Sequence, residues 1–127
     1  MPEKPGMHLY EYATVRYVPC VEREEFVNVG LVMMCKRRRW LRAEIRLDRA
    51  RIAALFPAAD LDILESQLRS FLLVAEGKAP YTAALEPHER FRWLTAVRSA
   101  SITTSRPHPG LSSDLDSTFA RLLAELV

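Results

Sequence analysis

Three polar side chains between positions 16 and 28 are of types that can hold an anion or move a proton. Arg16, Glu25 and Asn28 supply a guanidinium, a carboxylate and an amide. A guanidinium beside an amide can bind a carboxylate or a phosphate, and a carboxylate near a histidine can do acid–base work. The residues further along the chain that could join them are Arg98, Ser99, Ser105 and His108. The alternative is a structural hydrogen-bond network that shapes a hairpin.

His108 lies between two prolines, whose fixed φ angles would hold its ring in one place. That stiffness suits a ligand contact, and an exposed turn histidine is the alternative. The other two histidines have no acidic or cysteine partner at ligand spacing, and Cys20 and Cys35 do not form a metal-binding pair. The sequence also has no glycine-rich phosphate loop and no nucleophile elbow. We therefore predict no metal, no cofactor and no assigned catalytic residue.

A second candidate is a basic run followed by an aromatic residue. Its members are Lys36, Arg37, Arg38, Arg39, Trp40 and Arg42. Basic residues beside an aromatic ring can bind a phosphate backbone and stack a base. A solvated hairpin turn that discourages edge pairing explains the same residues. We prefer the turn, because acidic residues balance the charge elsewhere and no known nucleic-acid-binding pattern is present.

The elements that must position these residues begin with three strands. Residues 9–18 and 26–35 are rich in aromatic, β-branched and apolar side chains, which is typical of strands. Residues 41–47 alternate strictly between apolar and charged, which predicts a strand with one buried face. Short connections between the three predict an antiparallel meander.

Helical spacing of apolar residues follows the meander. A short helix is predicted over 48–55 and a longer one after Asp60, which is a good N-cap, with Gly77 at its end. A third helix is predicted over 88–96, and a fourth after a Ser113 cap.

The chain between the last two helices predicts a late strand and a turn. Residues 100–105 read as a fourth strand, and 106–110 as a rigid turn containing two prolines and a glycine. The fold class is therefore α+β: an antiparallel sheet of three to four strands, with three to four helices mainly on one face.

The first hairpin has a predicted register in which paired positions sum to 44. Arg16 then faces Asn28 and Thr14 faces Gly30. The opposite face of the two strands is wholly apolar and should form the core. Gly30 would leave open space beside the polar pair. Cys20 and Cys35 would lie about 30 Å apart, too far for a disulfide.

Length and composition predict one domain of 127 residues with a flexible tail over 1–7. The net charge of +2 is too small to indicate nucleic acid or an anionic membrane. No apolar run approaches the roughly 20 residues that cross a bilayer, and the N-terminus lacks a signal-peptide core, so we expect a cytoplasmic protein. An exposed edge strand would allow a homodimer.

Seven segments together carry a family resemblance. They are 10–19, 22–30, 47–51, 90–96, 98–99, 105–110 and 126–127. In these segments the chain resembles the bacterial family catalogued as domain of unknown function 3037. Similar sequences often have proline where this chain has Val97 and Thr104. The resemblance implies a small stand-alone protein, often encoded beside a HipA-like serine/threonine kinase, with no established activity.

The leading functional hypothesis is a non-enzymatic binding or regulatory module that acts with a protein partner such as that kinase. A small-anion sensor or enzyme using Arg16, Asn28 and His108 is the first alternative. Nucleic-acid binding through residues 36–42 is the second.

Overall fold

The fold is built on one antiparallel sheet, seen in a computed structural model that describes residues 6–97 and 100–127. Its strands within these ranges are β1 (His8–Tyr17), β2 (Val27–Cys35), β3 (Trp40–Ile45), β4 (Ile102–Thr104) and β5 (His108–Ser112). The strand order is β3-β2-β1-β4, and β5 pairs with the other end of β1. The α+β class and the meander are confirmed, and the predicted strand count is slightly low. The predicted tail lies mostly outside the described residues.

The helices begin and end close to the predicted positions. They are α1 (Arg49–Leu55), α2 (Leu61–Ala75), α3 (Pro87–Thr95) and α4 (Leu115–Leu126). Asp60 caps α2, and Gly77 follows it with a φ of +74°, which glycine adopts without strain. The cap of α4 is Asp114 rather than the predicted Ser113, because the Asp114 carboxylate accepts a hydrogen bond from the Ser117 N–H at 3.1 Å.

The helices cover both faces of the sheet, three on one side and one on the other. The first core lies under α1, α2 and α3, and its sheet residues are Ala13, Val15, Tyr17, Val27, Val29, Val32 and Met34. The second core lies under α4, and its sheet residues are Tyr10, Leu31, Met33 and Cys35. Helices mainly on one face are thus confirmed, whereas the expectation that the core occupies one face of the first hairpin is wrong.

A β-bulge at Val29 explains the second core. Arg16 pairs with Asn28 as predicted, but Val15 pairs with Gly30, so the register is shifted by one beyond this point. A bulge inserts one residue into one strand and changes which side chains share a face. Leu31 and its alternate neighbours therefore turn toward α4 instead of toward the first core.

The segment predicted as a rigid turn over 106–110 is largely strand. Pro109 and Gly110 lie within β5 and pair with Glu11 and Tyr10. Pro109 is tolerated there because, among the described residues, β5 has a strand partner only on its β1 side, and an edge strand can lack some N–H donors. A Cβ on Gly110 would overlap the Tyr10 ring, so the glycine allows the two strands to approach.

Candidate functional site

Arg16 and Asn28 come together at the end of the β1–β2 hairpin that adjoins the 18–26 connection, on the face that α4 covers. They are cross-strand partners. The Asn28 side-chain N–H donates to the backbone carbonyl of Leu126 at 3.1 Å, which ties β2 to the last turn of α4. The Asn28 Oδ1 is buried and accepts no hydrogen bond from the described residues. The predicted pairing of Arg16 with Asn28 is confirmed. The contact of Asn28 with the end of α4 was not predicted.

The Arg16 guanidinium stacks on the ring of Phe26, with 3.9 Å from its central carbon to the ring centre. Its Nε is buried and has no hydrogen-bond partner among the described residues. Phe26 itself is 45 % exposed, and Val21 on the same connection is 39 % exposed. One concave surface is lined by Arg16, Val21, Glu24 and Phe26. Thr103 of β4, which pairs with Arg16 of β1, also contributes to it. We call Arg16, Val21, Glu24 and Phe26 the hairpin-mouth surface.

Glu25 belongs to the connection rather than to the Arg16–Asn28 pair. Its carboxylate accepts from the Nε of Arg23 at 2.7 Å, and both side chains are more than half exposed. The connection contains a short 3-10 turn, Val21–Arg23, which ends at Glu24 in a left-handed conformation with a φ of +56°. The predicted group is therefore split, with Arg16 and Asn28 on the sheet and Glu25 in solvent.

Two other predicted residues hold strands together. Ser105 is buried between β4 and β5; its hydroxyl accepts from the Thr14 N–H at 2.9 Å, and its N–H donates to the Thr14 carbonyl at 2.9 Å. Gly30 does not leave open space, because a Cβ there would lie 2.7 Å from the Glu44 carbonyl oxygen and 2.6 Å from Ile45 Cδ1. The prediction about Gly30 is wrong, and its physical reason is the close approach of β3.

His108 lies away from the hairpin mouth. It pairs with Tyr12 across β1, and their ring centres are 5.2 Å apart. Tyr12 and Arg16 are four residues apart along β1, which is about 13 Å of strand. Arg16, Asn28 and His108 are therefore not brought to one point. Arg98 and Ser99 lie outside the described residues.

The basic run at 36–39 forms the β2–β3 turn, and two of the predicted phosphate contacts already face carboxylates. Arg39, with a φ of +50°, pairs with Glu86 at 2.7 Å. Arg42 pairs with Asp116 at 3.1 Å and stacks over the Phe119 ring at 4.5 Å. Lys36, Arg37 and Arg38 are exposed. The acidic partners lower the positive potential that a phosphate backbone would meet here.

A cleft that the sequence analysis missed lies on the other side of the 18–26 connection. Its volume is about 450 Å³, and its lining is mostly apolar: Tyr17, Pro19, Cys20, Arg23, Glu25, Leu55, Phe56, Pro57, Ala58, Ala59 and Asp60. The run of small apolar residues between α1 and α2 was its signal in the sequence. From the sequence alone, this run indicates only the end of a helix, because proline and alanine side chains have no reactive or charged group.

Tyr17 forms part of the wall of this cleft, where its ring packs edge-on against Phe56 with centres 6.1 Å apart. Burial raises the pKa of the Tyr17 hydroxyl, and the charge of Asp60 raises it further. The phenol therefore stays protonated and neutral well above physiological pH.

A smaller cavity of about 240 Å³ lies beside Asn28, between the start of β2, the β3–α1 connection and the end of α4. Two arginines that the sequence analysis did not assign to a site, Arg46 and Arg51, contribute to its lining together with Asp48 and Val127. The Arg46 Nε donates to Glu44 at 3.3 Å. Positive charge near Asn28 therefore comes from Arg46 and Arg51, and His108 of the predicted anion site is not part of this cavity.

The described ranges contain neither a membrane-spanning helix nor a group of metal-ligating side chains. Over residues 6–97 and 100–127, no helix is both long enough and apolar enough to span a membrane. In the same ranges no three histidine, cysteine or acidic side chains are grouped as metal ligands would be.

The comparisons with known proteins give one match. Residues 12–127 match the family described as protein of unknown function (DUF3037), which is nearly the whole chain. The comparisons with curated proteins and with solved structures returned no match.

Proposed function

The chain belongs to the family of proteins of unknown function (DUF3037), and we propose that it is a non-enzymatic binding or regulatory module that acts with a protein partner. The hairpin-mouth surface is the proposed contact. One observation carries this assignment: an arginine held against an exposed phenylalanine, with exposed Val21 beside it. Aromatic and arginine side chains are enriched at protein interfaces and among the residues that contribute most to binding.

The contact is partly prepared before a partner arrives. Stacking on Phe26 restricts the Arg16 side chain, so less rotamer entropy is lost when a partner orders it. The described residues offer the Arg16 Nε no acceptor. That nitrogen is buried, but Arg16 as a whole is only partly buried, so a carboxylate or carbonyl of the partner would accept from the terminal N–H groups of the guanidinium.

The proposed partner is a HipA-like serine/threonine kinase. Family members are often encoded beside such kinases, which supports an association between the two products. A cytoplasmic location is part of the proposal, because such a kinase works there. Binding to nucleic acid is less favoured, since Arg39 and Arg42 are paired with Glu86 and Asp116.

Co-purification with the neighbouring kinase tests the proposal. We expect the tagged chain to retain the kinase, and Phe26→Ser or Arg16→Gln to weaken the complex by about tenfold or more, since both remove interface anchors. Leu73→Ser on α2 is the matched control, because Leu73 is 41 % exposed and lies outside the hairpin-mouth surface. Affinity is measured by titration of the purified components. Failure to recover the kinase under stringent washing, or equal losses in all three variants, would contradict the proposal.

A second candidate function, small-anion binding, is favoured by the cavity beside Asn28. Arg46 and Arg51 can hold a phosphate or carboxylate there, in place of the predicted set with His108.

The test of this candidate is a phosphate titration followed by amide chemical shifts. We expect shifts at Asn28 and Asp48 that saturate, and an affinity reduced by about three- to tenfold in Arg51→Gln, since one charge-assisted contact is lost. Arg69→Gln, an exposed guanidinium on α2, serves as the control. Shifts that are the same in both variants would remove the support for an anion site.

A further inference from the structure

The cleft beside the 18–26 connection combines an apolar floor with acidic side chains at its rim. Leu55 is 53 % exposed, and it lies next to Phe56, Pro57 and Ala58 in the lining. Pro19 closes the opposite wall. The volume of about 450 Å³ is within the range of cavities that bind small molecules or single large side chains. A floor of this kind gains free energy when an apolar group displaces water from it.

Carboxylates dominate the charge around this floor. Glu25 and Asp60 line the cleft directly. Glu22 joins them through Cys20, whose thiol donates to the Glu22 carboxylate at 3.2 Å. Arg23 is the one cation among the described residues that line the cleft, and its guanidinium is held by Glu25 at 2.6 Å.

The Glu22 carboxylate is favoured in its ionised form. The pKa of Glu22 is lowered by a hydrogen bond from its own backbone N–H and by the Cys20 thiol. The Asp60 carboxylate also accepts the Ile63 N–H at 3.1 Å as the cap of α2. The rim therefore presents a fixed negative potential to whatever enters the cleft.

We propose that the cleft binds a segment of the partner protein that inserts a large apolar side chain flanked by lysine or arginine. The inserted side chain would pack on Leu55, Pro57 and Ala58, and the basic residues would meet Glu22, Glu25 and Asp60. This inference rests on the proposed function and deepens it. The same connection separates the cleft from the hairpin-mouth surface, so one partner can wrap around residues 18–26 and contact both sides.

Cys20 can report whether the cleft is occupied, because its thiol lies in the lining. Cys20 is exposed, whereas Cys35 is fully buried under α4. A thiol reagent therefore reacts only with Cys20 while the protein is folded. The probe is a fluorescein-labelled dodecapeptide of leucines and lysines. Its two matched peptides replace every lysine by glutamate or every leucine by alanine. Binding is followed by fluorescence anisotropy, and occupancy by the rate at which iodoacetamide alkylates Cys20.

We expect the leucine–lysine peptide to bind and to slow Cys20 alkylation, with each matched peptide at least about tenfold weaker, or about 1.4 kcal/mol. Ala58→Trp fills the cleft and should reduce affinity by about tenfold or more. Glu25→Gln and Asp60→Asn should each reduce it by about two- to fivefold, since each removes one exposed ion pair; asparagine preserves the helix cap. Glu76→Gln, which alters an exposed ion pair with Lys78, is the control. Thermal melting shows that each variant is folded.

Two outcomes would overturn the inference: an unchanged Cys20 rate at saturating peptide, or undiminished binding to Ala58→Trp. Retention of the kinase by Ala58→Trp and Glu25→Gln, with loss in Phe26→Ser, would also overturn it while leaving the proposed function intact. Peptide binding at the cleft without any recovered kinase would support the cleft and contradict the proposed partner.

Discussion

Replacing Phe119 by alanine is expected to lower the free energy of unfolding by about 3–5 kcal/mol. Phe119 is fully buried in the middle of α4, and its ring and that of Trp40 are nearly perpendicular, with ring centres 6.3 Å apart. The Arg42 guanidinium covers the same ring. The substitution leaves a cavity between α4 and the sheet, so it removes both the burial and the stacking. Urea unfolding followed by circular dichroism measures the loss.

Phe26→Ala is the matched control for this experiment. It deletes the same side chain where 45 % of it is exposed, and where the main loss is the stacked Arg16. A cost of at most about 1 kcal/mol is expected, which is typical of an exposed cation–π contact. Equal losses of unfolding free energy in the two variants would contradict the assignment of a tightly packed second core around Phe119. A loss confined to Phe119→Ala would show that α4 stabilises its face of the sheet independently of the hairpin mouth.

The second core is also the main point at which prediction from the sequence failed. Composition located β1 and β2, and helical spacing located α4, to within one or two residues, because both are local properties of the chain. The bulge at Val29 is not local, since it arises where β1 and β2 pair. One inserted residue changes the face of every side chain that follows in β2, so Leu31 and Met33 could not be assigned correctly from an unbroken register.

The late strands show a different limit. The sequence predicted β4 but treated 106–110 as a turn, because two prolines and a glycine usually interrupt strands. The sheet accepts Pro109 and Gly110 because β1 continues past β4 and offers β5 a partner at its free side. Ser105 joins the two pieces through its bonds to Thr14. Only the tertiary position of β1 makes this segment a strand.

Some placements of the polar residues were predicted correctly and others were not, and the physical reason differs from residue to residue. The Arg16–Asn28 pair followed from the register at the hairpin mouth, where no bulge intervenes. Its separation from His108 depends on where β5 lies along β1, which composition does not determine. The acidic cleft was missed for another reason. Its floor comes from a loop between two helices that face the 18–26 connection only after folding.

The second large effect is expected from Gly30→Val, which should destabilise the protein by about 3 kcal/mol. A valine Cβ would lie within 3 Å of the Glu44 carbonyl oxygen and of Ile45 Cδ1. One of these atoms belongs to the backbone, so rotamer changes cannot relieve the overlap and β3 must move away from β2. Hydrogen exchange measures this directly at the Arg46 N–H, which donates to the Val29 carbonyl at 2.8 Å.

The Ser105 N–H is the internal control for that exchange measurement, because it bonds to Thr14 on the opposite side of β1. Its exchange should rise far less than that of the Arg46 N–H if the damage is local to β3. A double-mutant cycle with Ile45→Ala sharpens the test. Removing the Ile45 side chain relieves one overlap and leaves the one with the Glu44 carbonyl, so partial recovery of stability is expected. Full recovery, or an unchanged stability of Gly30→Val alone, would mean that the β3 backbone is not what excludes a side chain at this position.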